Sequence, residues 1–143
     1  MNLLNVAKER PSVLRPTVLV ADDHRVMLER ALSILKPHVE VVGTANNGIE
    51  LIDEARRLQP DVIVLDITMP TLNGIEAAHE LHEIGSMAKF VFLTVHERSE
   101  FVQACISEGA LGYVTKSRMA TDLIPAINEA LSGHLFISPT VPP

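Results

Sequence analysis

The carboxylate of Asp66 ends the run DVIVLD (61–66), and a Met69-Pro70 break and Asn73-Gly74 follow at once. Asp22 and Asp23 close an earlier run, TVLVA (17–21), Thr94 closes FVFLT (90–94), and Lys116 closes GYVTK (112–116). Three carboxylates crowded together repel unless a cation compensates them. A hard divalent ion that takes oxygen ligands and keeps some of its water, Mg2+, suits them better than zinc, which favours His or Cys. A metal over a carboxylate, with an ammonium and a hydroxyl beside it, is equipment for phosphoryl transfer. The ion and Lys116 stabilise charge on the equatorial oxygens while Asp66 attacks in line.

Taken singly, each of these residues has a plainer role. Asp22-Asp23 can cap a helix, Asp66 can cap a turn, and Thr94 and Lys116 can be a strand-end hydroxyl and a solvated lysine. Their coincidence at the ends of four of five strand-like runs is what singles them out. Cys105 reads as a small core side chain. The six histidines show no ligand spacing, since His79 and His82 lie one helical turn apart without a third ligand.

The elements that must position these groups alternate along the chain. Strand-like runs cover 17–21, 39–45, 61–66, 90–94 and 112–116, and the runs that are apolar throughout carry the signature of strands buried on both faces. Between and after them, apolar residues recur at helical spacing: Leu28, Ala31, Leu32 and Leu35, then Leu51, Ala55 and Leu58, then Gly74, Ala77, Ala78 and Leu81. Val102, Cys105 and Ile106 mark the fourth helix, and Leu123, Ile127, Ala130 and Leu131 the fifth. With Thr121 as its N-cap, that last helix would hold Pro125 in its first turn, where a missing N–H costs least. Gly133 would serve as its C-cap. Parallel neighbours need crossovers, so the pattern predicts one doubly wound (βα)5 domain around a five-stranded parallel sheet. By fold analogy the strand order is 2-1-3-4-5, which brings the polar strand ends to one rim beside the switch point.

At 143 residues the chain supports a single domain of ordinary size. Hydrophobic residues make up 47% and charged residues 21%, the balance of a globular protein. A formal net charge of −6 argues against nonspecific nucleic-acid binding by this segment, which needs a basic face. There is no run of the roughly 20 apolar residues that span a membrane and no apolar signal core. A cytoplasmic location is expected, and the single cysteine fits a reducing compartment. Residues 1–15 read as a loose extension, 16–137 as the folded domain and 138–143 as the start of a linker.

Asp22-Asp23, Asp66 with Met69-Pro70 and Asn73-Gly74, Thr94, and Tyr113 three before Lys116 resemble the receiver domain of bacterial two-component response regulators. The resemblance runs from about residue 16 to residue 137. The segments ADDH (21–24), GALGYVTKS (109–117) and SGHLFISP (132–139) are similar to the branch that carries a LuxR-type helix-turn-helix output domain. That output domain is absent here, and the chain ends in what would be the interdomain linker.

The resemblance implies a regulatory phosphoacceptor, not an enzyme. Asp66 would accept a phosphoryl group from a sensor histidine kinase, Asp23 and Asp66 would bind Mg2+ directly, and Asp22 would help through water. The Thr68 main-chain carbonyl would complete the protein ligands. Lys116 and Thr94 would bind phosphoryl oxygens, Tyr113 would report the change by swinging inward, and the phosphorylated form would pair as a homodimer. DNA would be reached only through the output domain. Ser117 follows Lys116 where many members of the family have proline, a departure usual for this branch.

Three other readings compete. Haloacid-dehalogenase-type phosphatases also use an Asp nucleophile, a Lys and Mg2+. They need a second Asp two residues after the nucleophile, where this chain has Thr68, and their acidic pair comes last, not first. A dinucleotide-binding domain lacks support because the turn after the first strand has no glycine. A phosphorylation-independent scaffold on the same fold sits poorly with an intact Asp22, Asp23, Asp66, Thr94 and Lys116.

Overall fold

The computed structural model describes residues 15–141. Most of the expected N-terminal extension, residues 1–14, and the last two residues, 142–143, lie outside that range. Arg15 is tied down, donating to the main-chain carbonyls of Lys36 and Val39 at 2.7 and 3.0 Å.

Strands β1 (Thr17–Ala21), β2 (Glu40–Ala45), β3 (Val62–Leu65), β4 (Lys89–Thr94) and β5 (Gly112–Thr115) alternate with helices α1 (Arg25–Leu35), α2 (Gly48–Leu58), α3 (Gly74–Glu83), α4 (Ser99–Ser107) and α5 (Met119–Leu131). The sheet order is β2-β1-β3-β4-β5, every pair parallel, as the crossover argument requires. A two-residue strand absent from the sequence reading, β6 (Phe136–Ile137), adds a sixth member beside β5. Two residues carry no usable period, so that pairing shows only in three dimensions.

Each of the first five strands contributes to two cores. Val18, Val20, Val62, Val64, Val91 and Val114 face Leu35 of α1 and Leu123 and Ile127 of α5. Leu19, Ile63, Leu65 and Phe92 face Leu51 of α2, Leu81 of α3 and Val102 of α4. β3 is buried at all four positions, which is why its sequence reads as unbroken hydrophobicity. Cys105 is fully buried in the second core as a packing side chain, and burial pushes its thiol up to about 12, away from the reactive thiolate. Among the described residues no helix is long and apolar enough to cross a membrane.

The last helix differs from expectation at its start. α5 begins at Met119, not after Thr121, because a 3-10 turn over Lys116–Arg118 runs straight into it. Pro125 therefore lies inside the helix, where it releases the Thr121 carbonyl. Thr121 and Pro125 are both exposed, so water can take up the freed carbonyl. Gly133 ends the helix with φ +81, a left-handed turn that suits glycine, and His134 N–H reaches back to the Glu129 carbonyl at 2.8 Å.

The segment after β6 is held by a buried polar clasp. The Ser138 hydroxyl donates to Asp122 Oδ2 at 2.7 Å and accepts from the Thr115 N–H at 3.1 Å. Arg118 grips the same carboxylate with two bonds of 2.8 and 3.2 Å. Burial alone would raise the Asp122 pKa, but the bonds from Arg118, Ser138 and Thr121 outweigh it and hold the carboxyl below its ordinary value of 3.8. A depressed native pKa adds stability above the unfolded value that is lost as pH falls through the native one. Asp122→Ala is expected to lower the unfolding free energy by about 1–3 kcal/mol, the cost of stranding Ser138 and Arg118. In urea titrations that deficit should stay flat from pH 7 to 5 and shrink below about pH 4. A deficit independent of pH down to acid unfolding would contradict the clasp.

Candidate functional site

At the carboxyl ends of β1, β3 and β5 three side chains meet on one buried ammonium. Lys116 Nζ lies 2.8 Å from Asp22 Oδ2 and 3.0 Å from Asp66 Oδ2, and all three groups are at most 4% exposed. The parallel register sets up this meeting, since Ala21 pairs with Leu65 and both strands end one residue before an aspartate. Burial by itself would push the lysine pKa down, but the hydrogen bonds and charges of Asp22 and Asp66 outweigh it and hold the ammonium above its ordinary value.

The loop carrying Asp66 is fixed from both sides. Asp66 Oδ1 accepts the N–H of Ile67 at 2.7 Å, and the Gly74 N–H closes the loop onto the Ile67 carbonyl at 2.7 Å. A Cβ on Gly74 would collide with the Asp66 carbonyl, so this approach of helix to strand end demands glycine. Asn73 then starts α3 with a capping box: its side chain accepts from Glu76 N–H at 2.8 Å, and the Glu76 carboxylate accepts from Asn73 N–H at 2.9 Å.

Asp22 does not cap α1. Its Oδ1 accepts the His24 N–H at 2.8 Å and its Oδ2 faces Lys116. Asp23 is partly exposed at the rim. One ligand atom from each of Asp22, Asp23, His24 and Asp66 lies within 4.8 Å of the others. Three carboxylate charges less one ammonium leave two negative charges, the amount one divalent cation neutralises. The donors are mainly hard carboxylate oxygens on a partly open rim, so this acidic pocket fits a hydrated divalent ion.

Thr94 and Tyr113 sit at the same edge, joined to each other through His96. The Thr94 hydroxyl accepts the His96 N–H at 3.3 Å, and the Tyr113 hydroxyl donates to the His96 carbonyl at 2.8 Å. Thr94 is fully buried, and the Tyr113 ring already lies inside at 1% exposure. Burial first, then the neighbouring Cys105, Asp66 and Glu97, push the phenol pKa up, so Tyr113 stays a donor. Thr68 lies at the exposed rim with its hydroxyl 2.9 Å from His96 Nε2, and the His96 ring stacks on Phe101 at 4.2 Å.

Two residues of this constellation escaped the sequence reading. His24 has no second histidine at ligand spacing, and its signal is its place directly after Asp22-Asp23. His96 left no signal, because it works largely through main-chain atoms. Among the described residues His79 and His82 form no metal group, and His79 pairs with Glu108 at 3.0 Å.

A family profile for the response regulator receiver domain matches residues 18–128. The chain is 34% identical over 129 residues to the nitrate/nitrite response regulator protein NarL of Escherichia coli K12, covering 89% of this chain and 60% of that one. It is 36% identical over 127 residues to the response regulator GacA of Pseudomonas viridiflava, covering 87% and 59%. The crystal structure of a two-component response regulator of the LuxR family from Aurantimonas sp. SI85-9A1 superposes with a TM-score of 0.82 at 32% identity, over 89% of this chain and 92% of that one. The chain spans about 60% of the length of the curated relatives it matches. With the doubly wound sheet and the lysine-bridged acidic rim, these similarities place the chain in the response regulator receiver domain family.

Proposed function

We propose that Asp66 is the phosphoacceptor of a two-component pathway, taking its phosphoryl group from the phosphohistidine of a sensor kinase. The observation that carries this reading is the buried Lys116 ammonium shared between Asp66 and Asp22. An Asp66 carboxylate oxygen attacks phosphorus, the bond from phosphorus to the imidazole nitrogen breaks, and the imidazole leaves with its electron pair. Lys116 is placed to follow the charge onto a phosphoryl oxygen. The Thr94 hydroxyl accepts from His96, so its own hydrogen remains available for a second oxygen. Asp23, Asp66 and the Thr68 main-chain carbonyl would hold Mg2+ directly, with Asp22 acting through water. Bound there, the ion supplies charge neutralisation at the phosphoryl oxygens.

The domain acts as a switch, with self-phosphorylation and slow hydrolysis of the acyl phosphate as its only chemistry. A phosphoryl group brings roughly −1.5 to −2 charges and three acceptor oxygens. Drawing Thr94 towards it pulls on His96, and through the His96 carbonyl on Tyr113, whose ring starts from an inward position. The surface of α4, β5 and α5 carries the change to a DNA-binding output domain in a longer cytoplasmic protein, with the phosphorylated form paired about a two-fold axis.

Incubation with acetyl phosphate or phosphoramidate and Mg2+ should add one phosphoryl mass to the intact chain, and EDTA or Asp66→Asn should abolish the gain. A native rate in the Asn variant would move the acceptor elsewhere. Lys116→Met should lower stability in urea by about 3–5 kcal/mol, because two buried carboxylates lose their cation. Saturating Mg2+ should return part of that loss, and a deficit indifferent to Mg2+ would separate the lysine from the metal site. In sedimentation velocity a beryllofluoride-activated sample should contain a heavier species than the untreated protein at equal concentration. An unchanged distribution would leave a switch without a dimerisation step.

A further inference from the structure

The turn after β1 delivers a nitrogen to the acidic rim. His24 is the N-cap of α1 with extended backbone, φ −94 and ψ 105, yet its side chain makes no capping bond. The bond from its N–H to Asp22 Oδ1 curls the residue back over the carboxylates. There its Nδ1 lies 3.1 Å from Asp22 Oδ1, 3.2 Å from Asp23 Oδ1 and 3.8 Å from Asp66 Oδ2.

Those are three oxygens from three residues around one ring nitrogen. A single N–H points at one of them, and the other two oxygens approach at distances that ion pairs and atoms sharing one metal ion both show. Atoms that share a divalent ion at about 2.1 Å stand about 3.0 Å apart at right angles and about 3.4 Å apart in a tetrahedron. The observed separations fall around those values. Lys116 approaches from the buried side, on the Oδ2 atoms of Asp22 and Asp66, so that Asp66 Oδ2 lies between the ammonium and the imidazole while Asp22 Oδ1 and Asp23 Oδ1 face His24 without it. The His24 side chain is 59% exposed, so the ring can adjust to an entering ion without disturbing the core.

We propose that His24 Nδ1 is a direct nitrogen ligand of the divalent ion held by Asp23 and Asp66, which raises the affinity of this site for borderline cations such as Mn2+ and Co2+ relative to Mg2+. The proposal rests on the reading that the acidic rim binds a metal. Imidazole suits borderline first-row ions, whereas Mg2+ keeps to oxygen and water. A nitrogen among carboxylates therefore changes which ion the site takes more than how much charge it holds.

The test is calorimetric titration of the whole chain, wild type and His24→Ala, with Mn2+, Co2+ and Mg2+ in turn. Pulsed electron paramagnetic resonance of the Mn2+ complex adds a readout of directly bonded nitrogen. Loss of the ligand should weaken Mn2+ and Co2+ by about tenfold or more, leave Mg2+ within about twofold and erase the nitrogen coupling present in the wild type. Retained Mg2+ binding also shows that the variant is folded. An unchanged ratio of Mn2+ to Mg2+ affinity, or a wild-type Mn2+ complex without nitrogen coupling, overturns the proposal and leaves the metal reading standing. Tighter binding of every ion in His24→Ala overturns it too, by making the imidazole a competitor for the carboxylates. If no ion binds the wild type at all, the metal reading itself falls, and this proposal with it.

Discussion

Everything at the working edge depends on one buried ammonium held between two buried carboxylates. Lys116 cannot leave water without both Asp22 and Asp66, and neither aspartate can be buried so deeply without a cation. That mutual requirement constrains the fold more than any apolar contact, because the three groups come from three strands. β1, β3 and β5 must end at the same edge and at the same height, which an all-parallel sheet with crossover helices provides. An antiparallel arrangement would send alternate strand ends to opposite edges.

The same site is deliberately undercompensated. One lysine against three carboxylates leaves a negative excess, and a region built for stability alone would have balanced or removed it. Such an excess suits a divalent ion, and the remaining hydrogen-bonding capacity of Thr94 suits an incoming group with several acceptor oxygens. Gly74 and the Asn73–Glu76 box brace the main chain of Asp66, since the helix start abuts its carbonyl. With the β3 side so braced, the proposed switch would work through the loop after β4, where His96 joins Thr94, Thr68 and Tyr113.

Much of this was legible in the sequence, for physical reasons that differ from residue to residue. Strands buried on both faces leave unbroken apolar runs, so β1, β3 and β4 announced themselves, and Asp22, Asp66 and Thr94 stood out as the polar residues that end them. Lys116 was legible for the same reason, although it opens the turn after β5 and is not part of the strand. The start of α5 was misread because cap residues were given priority over a 3-10 entry, and Thr121 turns out to bond the Arg118 carbonyl from inside the helix. β6 was missed because its stability comes from β5 and from the clasp at Ser138, which join residues far apart in sequence. His96 was missed because its bonds to Thr94 and Tyr113 run through main-chain atoms that every residue possesses.

The clasp also explains how a local electrostatic event can matter beyond the rim. Thr115 and Lys116 are consecutive, so the strand end that presents the ammonium to Asp66 also holds Ser138 through its N–H and Thr140 through its hydroxyl, at 3.1 and 2.7 Å. Asp122, within the next turn and a half and itself gripped by Arg118, accepts from Ser138 of the same segment. On the proposed reading, a shift of Lys116 from carboxylates to phosphoryl oxygens would act on a backbone already bonded to the chain that leaves the sheet. The effect on that segment can be no larger than the difference in how its two arrangements bind the phosphoryl group. A buried bond network suits such coupling, because it is lost as a unit and does not loosen by degrees.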